Sequence, residues 1–184
     1  MPGNEYHFIT HWRVKGTREE VADVLGDALA LPRWWPSVYL EVKELEPAAA
    51  DGTGHYLSAF TRGWLPYNLR WNFRVTAIDY PAGFSIAADG DFDGRGIWTF
   101  VQDGDFVDIT YDWKLRADKP VLRYLSPVMK PIFAANHRWA MERGLRSLRI
   151  ELASRRAPND EARRVLPAPP GPSGLFARRK KGSV

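Results

Sequence analysis

From residue 133 onward the chain places Phe133, His137, Met141, the pair Gly144 and Leu145, Leu148 and Leu152 at steps of three or four. On a 3.6-residue period these positions share one face, with Arg138, Glu142, Arg146 and Arg149 mostly elsewhere. The pattern predicts one long helix over residues 125–152, with one histidine inside an otherwise apolar stripe. Ser126 followed by Pro127 is the order that helix starts prefer. Pro131 lies too deep to be a free first-turn proline, so a bend or a broken first turn is expected there. At 1.5 Å per residue such a helix is ~30 Å long, enough to cross a sheet.

Upstream the period changes to two. Tyr6, Phe8, Thr10, Trp12 and Val14 alternate with His7, Ile9, His11 and Arg13, which predicts a strand. Thr17 and Glu20 form a capping box that opens a short helix to about residue 25. Residues 31–36, LPRWWP, read as a second helical turn ended by Pro36. Trp34 and Trp35 either plug one end of the core or stand at a pocket mouth, and the core is the default because large aromatics usually pack. Val38, Leu40 and Val42 alternate with Tyr39, Glu41 and Lys43. A strand over residues 55–61 follows the DGTG turn, with no face assignable from its pattern. The clearest alternation is Leu69, Trp71, Phe73, Val75 and Ala77 against Arg70, Asn72, Arg74 and Thr76. Residues 84–88, 97–101 and 107–115 complete the series, with Val107, Ile109, Tyr111, Trp113 and Leu115 on one side of the last.

These elements predict an α+β fold: strand, two short helices, about six more strands, then the long C-terminal helix. Short links between strands require antiparallel pairing. An apolar sheet face must be buried, and the long helix is the one large element able to cover it. The expected arrangement is a curved antiparallel sheet of about seven strands gripping that helix. Its apolar face would carry Trp12, Trp71, Phe73, Tyr111 and Trp113. Such bulky, rigid groups facing Phe133, His137 and Met141 on the helix predict a cavity rather than a close-packed seam. These eight residues are the candidate ligand-binding set. Apolar cavities with a few polar groups are what small-molecule sites look like.

Composition narrows the partners. The 184 residues contain no cysteine, which excludes disulfides, thiolate metal sites and cysteine nucleophiles. No apolar run approaches the ~20 residues of a membrane span, and no signal-peptide pattern opens the chain, so a cytoplasmic protein is expected. The formal charge of +4 is misleading: residues 154–184 hold eight basic and two acidic side chains, leaving 18 basic and 20 acidic elsewhere. That segment is also rich in proline and is expected to be a disordered tail behind a ligand-binding domain over residues 1–153. Its ARRKKG end suits at most a weak contact with anionic lipid. No specific nucleic-acid binding is expected, because the folded body is slightly acidic.

The segments TRGWLPYNLRW, GDFDGRGIWTF, TYDWKL and LSPVMKPIFAANHRWAMERG resemble the polyketide cyclase/START-like superfamily, the SRPBCC group with the helix-grip fold. The resemblance covers about residues 5–153. It implies a hydrophobic cavity used for lipids, polyketides or quinones, or for cyclase and aromatase chemistry. It brings no shared catalytic motif and no cofactor.

Two further signals carry less. Asp89, Asp91 and Asp93 before Gly94 match the first half of a calcium loop, but Phe100 stands where a bidentate glutamate is needed. A Gly/Asp turn is the better reading. His7 and His11 would lie ~13 Å apart along a strand, too far to hold one ion. For proton transfer in the cavity the candidates are His137 and Tyr111. For His137 the alternative is a core histidine satisfied by a neighbouring group. The sequence leaves ligand identity, turnover and oligomeric state open.

Overall fold

The computed structural model describes residues 5–65, 68–91, 93–116 and 126–172, with side chains of 126–129 set aside. The elements are β1 (Glu5–Lys15), α1 (Arg18–Leu25), a 3-10 turn (Ala28–Ala30), α2 (Leu31–Trp34), β2 (Tyr39–Glu46), β3 (Tyr56–Arg62), β4 (Asn68–Asp79), β5 (Gly83–Gly90), β6 (Asp93–Asp103), β7 (Phe106–Arg116), α3 (Ser126–Arg156) and α4 (Asp160–Arg164). The strands form one sheet in the order β1-β7-β6-β5-β4-β3-β2. Every neighbouring pair is antiparallel. The sheet curves around α3, which is the helix-grip arrangement.

Thr17 caps α1 by accepting from the Glu20 N–H, while Glu20 accepts from the Thr17 N–H at 2.9 Å. Glu20 also receives two hydrogen bonds from Arg156, at 2.6 Å each, so the start of α1 is tied to the end of α3. This contact corrects the expected tail boundary. Residues 154–156 continue the helix, and Asn159 then caps α4 by accepting from the Ala162 N–H. The ARRKKG end, and any lipid contact through it, lies outside the described residues. The predicted cap at Ser126 does too. Of the bend or broken turn expected at Pro131, the broken turn is ruled out, because α3 runs through it. A proline so near the N-terminal end forfeits one hydrogen bond, which the packed turns behind it outweigh.

Outside, the sheet's charges pair across strands. Arg13 donates to Asp103 and Asp108 at 2.7 Å, Arg74 to Glu46 at 2.7 Å, and His7 meets Asp112 at 2.9 Å. Arg70 instead lies over the Phe60 ring, 4.4 Å from its centre. His11 turns to Thr110, so the two β1 histidines serve different partners.

The aromatic core sits at the α2 end. Trp34 and Trp35 are both buried, with Trp35 edge-on to Trp12 at 5.8 Å and to Tyr39 at 5.3 Å. Glu151 of α3, only 4% exposed, accepts from Arg33 of α2 at 2.7 and 2.8 Å and from Arg155 at 2.8 Å. Burial pushes its carboxyl up, but the two guanidinium groups more than offset that and hold it below the usual carboxylate range.

Candidate functional site

The sheet's inner face alternates large and small groups. Trp71, Trp98 and Trp113 share it with Ala59, Ala88 and Gly96, all of them buried. A Cβ at Gly96 would stand 2.9 Å from the Tyr111 hydroxyl and 3.0 Å from Ile86, so this position must stay small. Tyr111 fills the gap at Gly96, and the cavity lies instead where the curved sheet stands away from α3. It has a volume of about 1210 Å³ and runs between the inner sheet face, α1, the α2–β2 region and α3. Ligand sites commonly enclose ~300–1,000 Å³, so this one has room for a polycyclic or acyl-chain molecule.

Seven of the eight residues singled out from sequence lie on its wall: Trp71, Phe73, Tyr111, Trp113, Phe133, His137 and Met141. Trp12 does not. It is wedged behind the wall, 5.6 Å from Trp98 and 5.8 Å from Trp35. The reason is its position opposite Ile109 near the β1 end covered by α2, where the seam closes.

Two wall residues escaped the alternation. Leu40 is the extra residue of a bulge: Tyr39 pairs with Thr61 and Glu41 with Phe60. Tyr39 and Val42 therefore share the inner face although they are three apart, and Tyr39 reaches the cavity. A second irregularity between Val75 and Ala77 in β4 turns Ala77 outward and Ile78 toward the cavity, opposite Phe84. Neither kink leaves a signal in the sequence, since β2 and β4 contain no glycine or proline to mark one.

The wall divides into two aromatic groups. On β4, β6 and β7, Tyr111 stacks on Trp98 at 4.0 Å and on Trp113 at 5.7 Å, with Trp71 6.0 Å from Trp113. The Trp71 indole N–H donates to Thr61 at 3.2 Å. On β1 and α3, Tyr6 meets Phe133 edge-on at 5.7 Å, and Phe8 stacks on His137 at 4.4 Å.

Polar groups on the deep wall are neutral. The Tyr39 and Tyr111 hydroxyls have no hydrogen-bond partner among the described residues, yet both are open to the cavity. Burial raises both phenol pKa values above the usual range, so the hydroxyls stay protonated. His137 Nε2 and Thr10 Oγ1 share a 3.3 Å hydrogen bond whose direction depends on the tautomer. The imidazole touches the cavity but is shielded from bulk water. Desolvation lowers its pKa to about 4, leaving it neutral at physiological pH. Charged wall residues stand at the rims and are occupied: Asp23 accepts from Tyr80, Arg62 donates to Asn68, and Asp91 accepts from the Arg70 N–H. Asp89 accepts from Tyr56 and Asn72, so two acids of the calcium-like run have other work. Among the described residues, no three His, Asp or Glu side chains group as a metal site.

A clasp ties the β3–β4 loop to α3 at the cavity wall. The Trp64 N–H, in the β3–β4 loop, donates to Asn136 Oδ1 of α3 at 2.9 Å, and Gly63 lies so close to Asn136 that any Cβ would collide. Asn136→Ala should speed amide exchange at Trp64 by about fivefold, the loss of roughly 1 kcal/mol of local protection. Exchange mass spectrometry over residues 60–65 reads it; unchanged protection would mean that the clasp does not hold the loop.

The sequence matches the family described as polyketide cyclase / dehydrase and lipid transport over residues 9–153. The chain belongs to that family. No functionally curated protein matches it. Among solved structures, an aromatase/cyclase from Streptomyces sp. R1128 superposes with a TM-score of 0.63 at 17% identity, over 82% of this chain and 95% of that one. A protein from Thermus thermophilus gives 0.66 at 14% identity, over 82% and 99%. A START superfamily protein from Mycobacterium smegmatis gives 0.54 at 14% identity, over 73% and 97%. At these identities the likeness is one of fold. Membership in the polyketide cyclase / dehydrase and lipid transport family makes a hydrophobic-ligand or cyclase role the frame for the cavity. No helix among the described residues is long and apolar enough to cross a membrane.

Proposed function

We propose that the protein binds and carries a small hydrophobic molecule of lipid, polyketide or quinone type, held between the sheet and α3. The observation that carries this reading is the pairing of a large aromatic-walled cavity with deep polar groups that are all uncharged. An apolar body would fill the cavity, at about 0.8 kcal/mol for each CH₂ buried, so micromolar affinity needs no charged partner. The Tyr39 and Tyr111 hydroxyls would donate to a carbonyl, hydroxyl or ether oxygen, and His137 would donate or accept near Phe133.

Trp71, Trp98 and Trp113 line the wall, so binding should change their fluorescence. Titration with fatty-acid methyl esters, quinones and flavonoids should give affinities that follow apolar area. Tyr39→Phe and Tyr111→Phe should each weaken oxygen-bearing ligands about five- to tenfold, because an unmade bond to a buried group costs ~1–3 kcal/mol. A protein indifferent to every apolar ligand that bound a charged one tightly would overturn the reading.

The second reading is a cyclase or aromatase acting in the same cavity. It is favoured by one feature: a neutral imidazole and two protonated phenols share a space shielded from water. Holding a flexible chain in a near-attack pose supplies much of the acceleration in such a reaction, leaving His137 or Tyr111 to move a proton. Incubation with a reactive poly-β-keto thioester separates the two. A carrier releases it to the same product mixture as buffer. An enzyme gives one regiospecific ring, and His137→Phe stops this while binding survives within tenfold.

A further inference from the structure

The outer face of α3 carries a run of arginines with few acids beside it. On the sheet, several arginines are matched by acids, as in Arg13 with Asp103 and Asp108 and Arg74 with Glu46. On α3, Arg138, Arg146 and Arg149 are exposed on one side of the helix, with Glu142 the one acid among them. Arg138 and Arg146 have no ion-pair or hydrogen-bond partner among the described residues. Arg149 uses one nitrogen on the Arg13 carbonyl at 3.0 Å and keeps its charge unmatched.

An apolar strip runs beside these arginines. At 100° per residue, Ile132, Trp139 and Ile150 fall on adjoining lines of the helix, all half-buried. Arg143 lies over the Trp139 ring at 5.6 Å. The strip leads toward Asn136, and through the clasp to Trp64, which is 44% exposed. One surface therefore combines spread arginines, two tryptophans and, at Gly63 and Asn136, the wall of an apolar cavity.

We infer that the outer face of α3, with Trp64, docks on an anionic phospholipid bilayer. Arginines laid along a helix match anionic headgroups, and tryptophan with its apolar body and polar N–H favours the headgroup level. A nucleic acid would use the charges but has no use for the isoleucine–tryptophan strip. Continuity with the cavity wall at Gly63 and Asn136 explains the position of the surface: release of the clasp would let a hydrophobic molecule pass between bilayer and cavity without crossing water. The docking itself stands whether the cavity carries its ligand or transforms it.

The test is co-sedimentation of the full chain with vesicles of phosphatidylcholine alone or mixed with phosphatidylglycerol. Binding is expected only with phosphatidylglycerol, and should weaken steeply as salt rises. Arg138→Glu with Arg146→Glu should weaken it by at least ~20-fold, near fivefold for each cation removed from an anionic surface. Trp64→Ala should reduce binding severalfold and remove part of the blue shift in tryptophan emission. Arg146→Gln alone, at an exposed side chain with no contact, keeps the test open if the double variant fails to fold. Neutralising Arg178, Arg179, Lys180 and Lys181 to glutamine should cost little. Absence of binding to phosphatidylglycerol overturns the inference. So does binding that survives the α3 variants but is lost with the tail variant, or tighter binding to duplex DNA than to the vesicles.

Discussion

Gly144→Ala should destabilise the protein by at least ~2 kcal/mol, the scale of an overpacked core. In an ordinary helix interior the same exchange stabilises by roughly 1 kcal/mol, because alanine has the higher propensity. The sign reverses here because Gly144 lies on the buried face of α3 directly beneath Trp35. A Cβ would overlap the indole, with Cε2 only 2.6 Å away. Trp35 has nowhere to retreat: Trp12, Trp34 and Tyr39 stand 5.8, 5.5 and 5.3 Å from it, ring to ring. Gly144→Leu should cost more, or prevent folding. For a chain of this size, ~2 kcal/mol corresponds to a fall in Tm of about 4–8 °C. Urea unfolding gives the free energy directly. Pairing Gly144→Ala with Trp35→Phe should cost less than the two single changes added, since the smaller ring vacates the overlap. A Gly144→Ala variant as stable as the parent would show that α3 does not pack on Trp35 in this way.

The second large effect is a dependence of stability on pH through His137. Its folded pKa is lowered to about 4 from the ordinary 6.5. Between those values the unfolded chain binds the extra proton and the folded one does not, so acid favours unfolding. The stabilisation from His137 is fully present above about pH 6.5 and is lost as pH falls toward 4. At 1.36 kcal/mol for each unit of pKa, the loss approaches ~3 kcal/mol. Carboxylates titrate in the lower part of this window as well, so the informative quantity is the difference from His137→Phe. That variant forfeits the bond to Thr10 but has nothing to protonate. It should be less stable at pH 7 and should lose its disadvantage as pH approaches 4. Parallel curves for the two proteins would mean that the imidazole is not shielded from water. The same titration should weaken ligand binding if the ligand meets the neutral ring.

The family supplies a fold and a cavity; the chemistry around the cavity belongs to this chain. Its deep wall offers the Tyr39 and Tyr111 phenols and the His137 imidazole, all neutral, where an anionic ligand would need a cation. Arg62, the one arginine or lysine on the wall among the described residues, is spent on Asn68 at the rim. This argues for oxygen-bearing but uncharged ligands. It also places the burden of selectivity on shape, since stacked rings such as Tyr111 on Trp98 leave a fixed slot.

Local periodicity was enough to determine the element order, the antiparallel sheet and the long helix. Period-two and period-3.6 patterns report which side of an element meets water, and that is a property of adjacent residues. The same patterns placed Trp71, Phe73, Tyr111 and Trp113 on one sheet face and Phe133, His137 and Met141 opposite them. They did not reveal Tyr39, because the bulge at Leu40 shifts the register by one residue, and a bulge is set by pairing with β3 rather than by β2 alone. They put Trp12 with the cavity because its face was right. Its exclusion depends on how far along β1 the seam with α2 closes, which only the packed structure decides. The end of α3 was likewise hidden: Arg155 and Arg156 read as the start of a basic tail until Glu151 and Glu20, distant in sequence for the second pair, were brought beside them. Neighbours along the chain decide which side of each element is apolar. How far two such sides stand apart, and hence whether they enclose a seam or a cavity, is settled by bulges, glycines and ion pairs between elements that meet only in three dimensions.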